Sequence, residues 1–104
     1  MSELTLGGYM ARHDRAAAFA GRDGQAYSVG LFVEEHPDVQ GRHAGSLLFV
    51  RWSEAGDRPV GHLESEILAW GRSVGETEER LKVLSLYDVK AALDQAIGLD
   101  PGEW

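Results

Sequence analysis

His62, Glu64 and Glu66 stand at every second position of one short segment. In an extended chain alternate side chains project from one face, so a strand here presents an imidazole and two carboxylates together. Imidazole titrates near neutrality and suits zinc, copper, iron or nickel, while carboxylate suits harder ions. The set therefore reads either as a divalent-metal site or as a general base oriented by a carboxylate. If the turn at Glu54–Pro59 joins two antiparallel strands, Arg51 falls opposite His62 and Phe49 opposite Glu64. Arg51 and a neighbouring glutamate then form a plain cross-strand ion pair, worth about 0.2–1 kcal/mol. The structural reading is preferred, so no catalytic residue, metal or cofactor is assigned. Arg51, His62, Glu64 and Glu66 stand as the polar-site candidates of an alternative reading, an enzyme or metal-binding protein. A second imidazole would have to come from His13, His36 or His43, all in expected loops.

Other chemical signals are weaker. Gly21-Arg22-Asp23-Gly24 matches a G-x-x-G loop formally, but it lies between apolar β-type runs, where Asp-Gly marks a hairpin turn. The chain has neither a phosphate-cradling G-x-x-x-x-G-K nor a nucleophile-elbow serine. Glu76, Glu78 and Glu79 fall early in an expected helix, where they favour its dipole.

The elements that must position these residues follow from periodicity and turn residues. Residues 1–12 show no clear period, and Gly7-Gly8 interrupts them; an arm is expected there. Ala16–Ala20, the turn at 21–24 and Gln25–Glu35 read as a hairpin. His36–Gly45 reads as a loop, Ser46–Ser53 as a third strand and Val60–Trp70 as a fourth. Short connections imply an antiparallel meander. Ser73 precedes Glu76, and Ser85 precedes Asp88, at capping-box spacing. Leu86, Val89, Leu93 and Ile97 then recur at helical intervals, before Gly98 and Pro101. The expected fold is α+β: a four-stranded antiparallel β-meander (13–70) followed by two C-terminal helices (73–97) packed on one sheet face, with a tail at 98–104. One domain over 1–104 is expected.

Alternation assigns Tyr27, Val29, Leu31 and Val33 to the core face. Leu48, Val50 and Trp52 join them from the third strand, and Leu63, Ile67 and Ala69 from the fourth. The opposite face receives Phe32, Leu47, Phe49, Leu68 and Trp70 together with the polar candidates. Such an apolar patch marks an interface or a ligand groove. A partner copy, the N-terminal arm (through Leu4, Leu6, Tyr9 and Met10) or a ligand would cover it. Phe32, Leu47, Phe49, Leu68 and Trp70 are thus the interface candidates, for a homodimer or a protein partner.

Composition narrows the class. The net charge is −7, without a basic stripe, so neither nucleic acid nor an anionic membrane surface is an expected partner. No apolar stretch approaches the roughly 20 residues of a membrane span. Cysteine is absent, which excludes disulfides and thiolate metal sites. The first fifteen residues lack a secretory signal pattern, so a cytoplasmic protein is expected. Eight arginines stand against two lysines and Asn is absent, a usage that fits a GC-rich bacterial genome.

The order of Gly21-x-Asp23-Gly24-x-x-Tyr27-x-Val29, Phe49-x-Arg51-Trp52, Gly61-His62-x-Glu64 and Leu84-x-Leu86-x-x-Val89-Lys90-x-x-Leu93-Asp94-x-Ala96-Ile97 resembles a group of short bacterial proteins of uncharacterised function. The resemblance covers most of residues 21–97 and implies no activity, ligand or partner.

Overall fold

The computed structural model describes residues 4–13 and 18–99. In chain order the elements are α1 (Leu6–His13), β1 (Ala18–Ala20), β2 (Ala26–Val33), β3 (His43–Trp52), β4 (Pro59–Glu64), β5 (Ala69–Gly71), α2 (Val74–Lys82) and α3 (Leu86–Leu99). The fold is α+β, as the strand-then-helix order implies. The sheet is antiparallel with strand order β1-β2-β3-β4, and β5 also pairs with β3. The expected start of the first strand at Ala16 and the stop at Pro101 lie outside the described residues.

Local chemistry sets the joints. In the first turn the Gly21 N–H binds the Gln25 carbonyl at 2.8 Å, and Gly24 takes a left-handed conformation (φ 81°). In the second, the Asp38 carboxylate accepts the N–H groups of Gln40 and Arg42, each at 2.9 Å, and pairs with the Arg42 guanidinium at 3.1 Å. This closed turn leads into a register that runs from Val33 opposite Gly45 to Ala26 opposite Trp52. Residues directly opposite share a face.

The register reverses the expected faces of β3. Val29 faces Phe49, and Leu31 faces Leu47. Leu47 and Phe49 are wholly buried in one cluster with Leu6, Tyr27, Val29, Leu63, Leu81, Val89 and Leu93. Leu48, Val50 and Trp52, expected in that core, lie on the other face and are half-buried outside the cluster. Thr77 shows why. It stands on α2 between two glycines, where a Cβ at Gly45 would meet its methyl at 2.6 Å and one at Gly71 its hydroxyl at 2.5 Å. Gly45 must therefore face the helix, and Leu47 and Phe49 follow it at alternate positions.

The expected fourth strand is interrupted. If the pairing of Leu48 with Glu64 ran on, Gly45 would face Ile67; it faces Ala69, two residues further. Buried Ser65 bridges the gap. Its hydroxyl accepts the Leu47 N–H at 2.9 Å in place of a backbone carbonyl, and donates to the Glu66 carbonyl at 2.7 Å. An insertion of two keeps the alternation of faces, so Trp70 stays on the face of His62 and Glu64.

All three helices cover the first face. Ser73 caps α2 through the Glu76 N–H (3.0 Å), and Ser85 caps α3 through the Asp88 N–H (3.0 Å), both as expected from spacing. The expected arm is helical and docked. Leu6 is wholly buried, its N–H binds the Leu84 carbonyl at 2.8 Å, and a Cβ on Gly7 would lie 2.8 Å from that of Lys82. Gly7 thus permits a close helix contact within α1. Residues 4–12 of the arm, which include Leu4, Leu6, Tyr9 and Met10, are therefore not available to cover the second face. Among the described residues no helix is long and apolar enough to cross a membrane.

The reversed register has a direct consequence. Phe49→Ala should cost about 3–5 kcal/mol, the range for emptying a core aromatic site, whereas Val50→Ala should cost about 1 kcal/mol. Urea unfolding at low protein concentration measures both. Equal costs, or the larger cost at Val50, would contradict the assigned faces.

Candidate functional site: the second sheet face

The face without helices draws its side chains from β2, β3, β4 and β5. β2 contributes Ser28, Gly30 and Phe32; β3 contributes Ala44, Ser46, Leu48, Val50 and Trp52; the opposite edge contributes Pro59, His62, Glu64 and Trp70. Its centre is uncharged. Leu48, Val50, Pro59, Gly61 and His62 line an open, mainly apolar depression of about 480 Å³. The Trp52 indole N–H donates to the Ser28 hydroxyl at 2.9 Å, which fixes the ring against the sheet. The Ser46 hydroxyl donates to the Glu64 carboxylate at 3.2 Å. Opposite Leu48, a Cβ on Gly30 would meet nothing closer than 4.0 Å, so open space lies above the middle of the face.

The interface candidates divide. Phe32, 41% exposed, and half-buried Trp70 lie on this face as expected. Leu47 and Phe49 do not: both are 0% exposed beneath the helices. Leu68 falls in the interruption after Glu64 and packs against the core, because the alternation of a continuous strand does not reach it. Leu48, Val50 and Trp52 take their places. The close approach of Thr77 to Gly45 is the contact that assigns them here, and it is not a sequence pattern.

The polar candidates separate as well. His62 pairs across from Val50, and Arg51 from Gly61. The expected pairing of Arg51 with His62 fails because the Ser53 N–H closes on the Arg58 carbonyl at 2.9 Å, pairing Trp52 with Pro59 and leaving Val60 as a bulge. Glu64 shares the second face with His62, while Glu66 lies exposed in the interruption, outside any strand. Of the other histidines, His36 is an exposed loop residue, and His43 places Nδ1 2.8 Å from the Glu34 carbonyl oxygen. Among the described residues no three His, Asp or Glu side chains are grouped so as to hold a metal ion.

Arg51 belongs to a different polar group, at the rim of the core face. Its Nε donates to the Tyr27 hydroxyl at 2.9 Å, and Tyr27 donates to Asp23 at 2.7 Å. Burial pushes the Asp23 carboxyl up, but hydrogen bonds from Tyr27 and the Gln25 N–H, with the Arg51 charge, outweigh it and hold the group below the usual carboxylate range. Burial, then the hydrogen bond to Asp23, raises the Tyr27 phenol. Next along the turn, the Arg22 N–H donates to Asp94 of α3 at 3.0 Å, and Lys90 binds the same carboxylate at 2.6 Å. The Lys90 hydrogen bond is the chief cause of a lowered Asp94. The group ties the first hairpin to the last helix and is structural.

Because the Asp23 and Asp94 carboxyls titrate lower in the folded state than in the unfolded chain, the unfolded chain binds more protons as pH falls. Their contribution is complete above the unfolded value of about 3.9 and is lost below it. The urea midpoint should therefore fall on acidification below about pH 4, and less steeply in the double variant Asp23→Asn/Asp94→Asn. An identical acid limb in the double variant would contradict this assignment.

Comparison of the chain with known family models, with curated proteins and with solved structures finds no match in any of the three.

Proposed function

We propose that this protein is a small intracellular, non-enzymatic binding protein that self-associates through its second sheet face. One observation carries the reading. Leu48, Val50 and Trp52 gather on a face that no described element covers, and none of them packs into the core cluster. Removing apolar surface of this kind from water contributes about 25 cal/mol per Å².

A second copy suits the face better than a charged partner. The chain carries a net charge of −7, so two copies repel at long range. The strip formed by Ser28, Gly30, Phe32, Leu48, Val50 and Trp52 holds no charge, so that repulsion is weakest where two such faces meet. A two-fold pairing opposes the same strip to itself, which needs self-complementarity and no second kind of surface.

Val50→Glu places a carboxylate in the middle of the strip without touching the core. Gly30→Glu does the same from β2, where space is open. Each should weaken self-association by at least about 100-fold (~3 kcal/mol), because a desolvated charge is left without a partner. Light scattering coupled to size exclusion reads the mass, and circular dichroism should show an unchanged helical signal. Both variants keeping the mass of the parent oligomer would overturn the proposal. Phe49→Glu is not a valid probe, since it puts the charge in the core and should unfold the protein.

A further inference from the structure

Three of the eight arginines, Arg42, Arg72 and Arg80, meet around Trp70 at the end of β5. Arg72 and Arg80 flank and enter α2, whereas Arg42 is distant in sequence and joins them because β5 pairs with the start of β3. With Gln40, Gly71 and Glu76 they line a depression of about 240 Å³. Two of the guanidinium groups are held in place. That of Arg42 lies over the Trp70 ring, 4.5 Å from its centre, and uses Nε and one terminal nitrogen on Asp38. That of Arg80 donates to the Trp70 carbonyl and pairs with Glu76 at 3.0 Å. Each retains N–H donors that these bonds do not use. Glu76 also accepts the Arg72 N–H at 3.3 Å, while the Arg72 side chain is exposed and makes no ion pair among the described residues.

We infer that this depression binds a small organic carboxylate. Three guanidinium groups against the two carboxylates of Asp38 and Glu76 leave one positive charge, the complement of a single carboxylate. The fork geometry of arginine matches that group, and its immobilised side chains lose little freedom on binding it. The volume equals that of about eight waters at ~30 Å³ each, the size of a compact monocarboxylate rather than of a nucleotide. Trp70 supplies a flat apolar wall. The −7 net charge opposes any anion at long range, and the three arginines supply the local positive charge that offsets it at this depression. The inference is independent of self-association.

Benzoate and benzamide, nearly identical in shape and different in charge, are the probes. Titrated into the ¹⁵N-labelled protein at pH 7 and constant ionic strength, benzoate should shift the Trp70 indole and the Gly71 and Arg72 amides saturably, and benzamide should not. Arg72→Gln, an exposed change that leaves the core intact, should weaken benzoate about tenfold, while Arg58→Gln in the distant β3–β4 turn should leave it unchanged. Equal shifts with benzamide, the absence of saturable shifts, or unchanged benzoate binding in Arg72→Gln would each overturn the inference.

Discussion

β3 is paired along both edges, with β2 on one side and β4 and β5 on the other. Its register therefore decides every face in the sheet. A slip of one residue would bring Leu48, Val50 and Trp52 under the helices and turn Leu47 and Phe49 outward. Three contacts forbid the slip. The Asp38 turn closes at a fixed length, Thr77 fits only where β3 and β5 lack a Cβ, and Arg51 reaches Tyr27 and Asp23 only from the core side. Polar and steric contacts make this choice because hydrophobicity alone cannot.

Hydrophobic patterning therefore carries only part of the fold. Strands, turns and helix caps were legible, since each depends on local residue chemistry: Asp-Gly at the first turn, Ser73 and Ser85 at the caps. The orientation of β3 was not. Both of its alternating sets are apolar, and Arg51 makes the true core set look like the solvent set. The interruption after Glu64 depends on one serine hydroxyl acting for a carbonyl, which leaves no periodic trace. Gly7 reads as a helix breaker in sequence and proves to be a contact point in space. Of the site residues, Phe32, Trp70, His62 and Glu64 were placed on the correct face. The arginine cluster was invisible, because Arg42 joins Arg72 and Arg80 only through the pairing of β5 with β3.

The same register decides what the second face presents. Because Leu47 and Phe49 fill the core, the apolar residues left on β3 lie on a face that no described helix covers. Polar groups capable of chemistry are dispersed by it too. Arg51 is drawn to the core rim, His62 and Glu64 stay on the open face, and Glu66 leaves the strand. At one end of the open face, Trp70 with Arg42 over its ring joins the apolar strip to the arginine depression, so the two surfaces are neighbours of opposite character.

The proposed self-association places another copy of the chain on the second sheet face. The most direct measurement is the mass of the native protein by light scattering across a dilution series. The expected result is a species near twice 11.4 kDa that dissociates only on strong dilution. A species of 11.4 kDa at every concentration would contradict it.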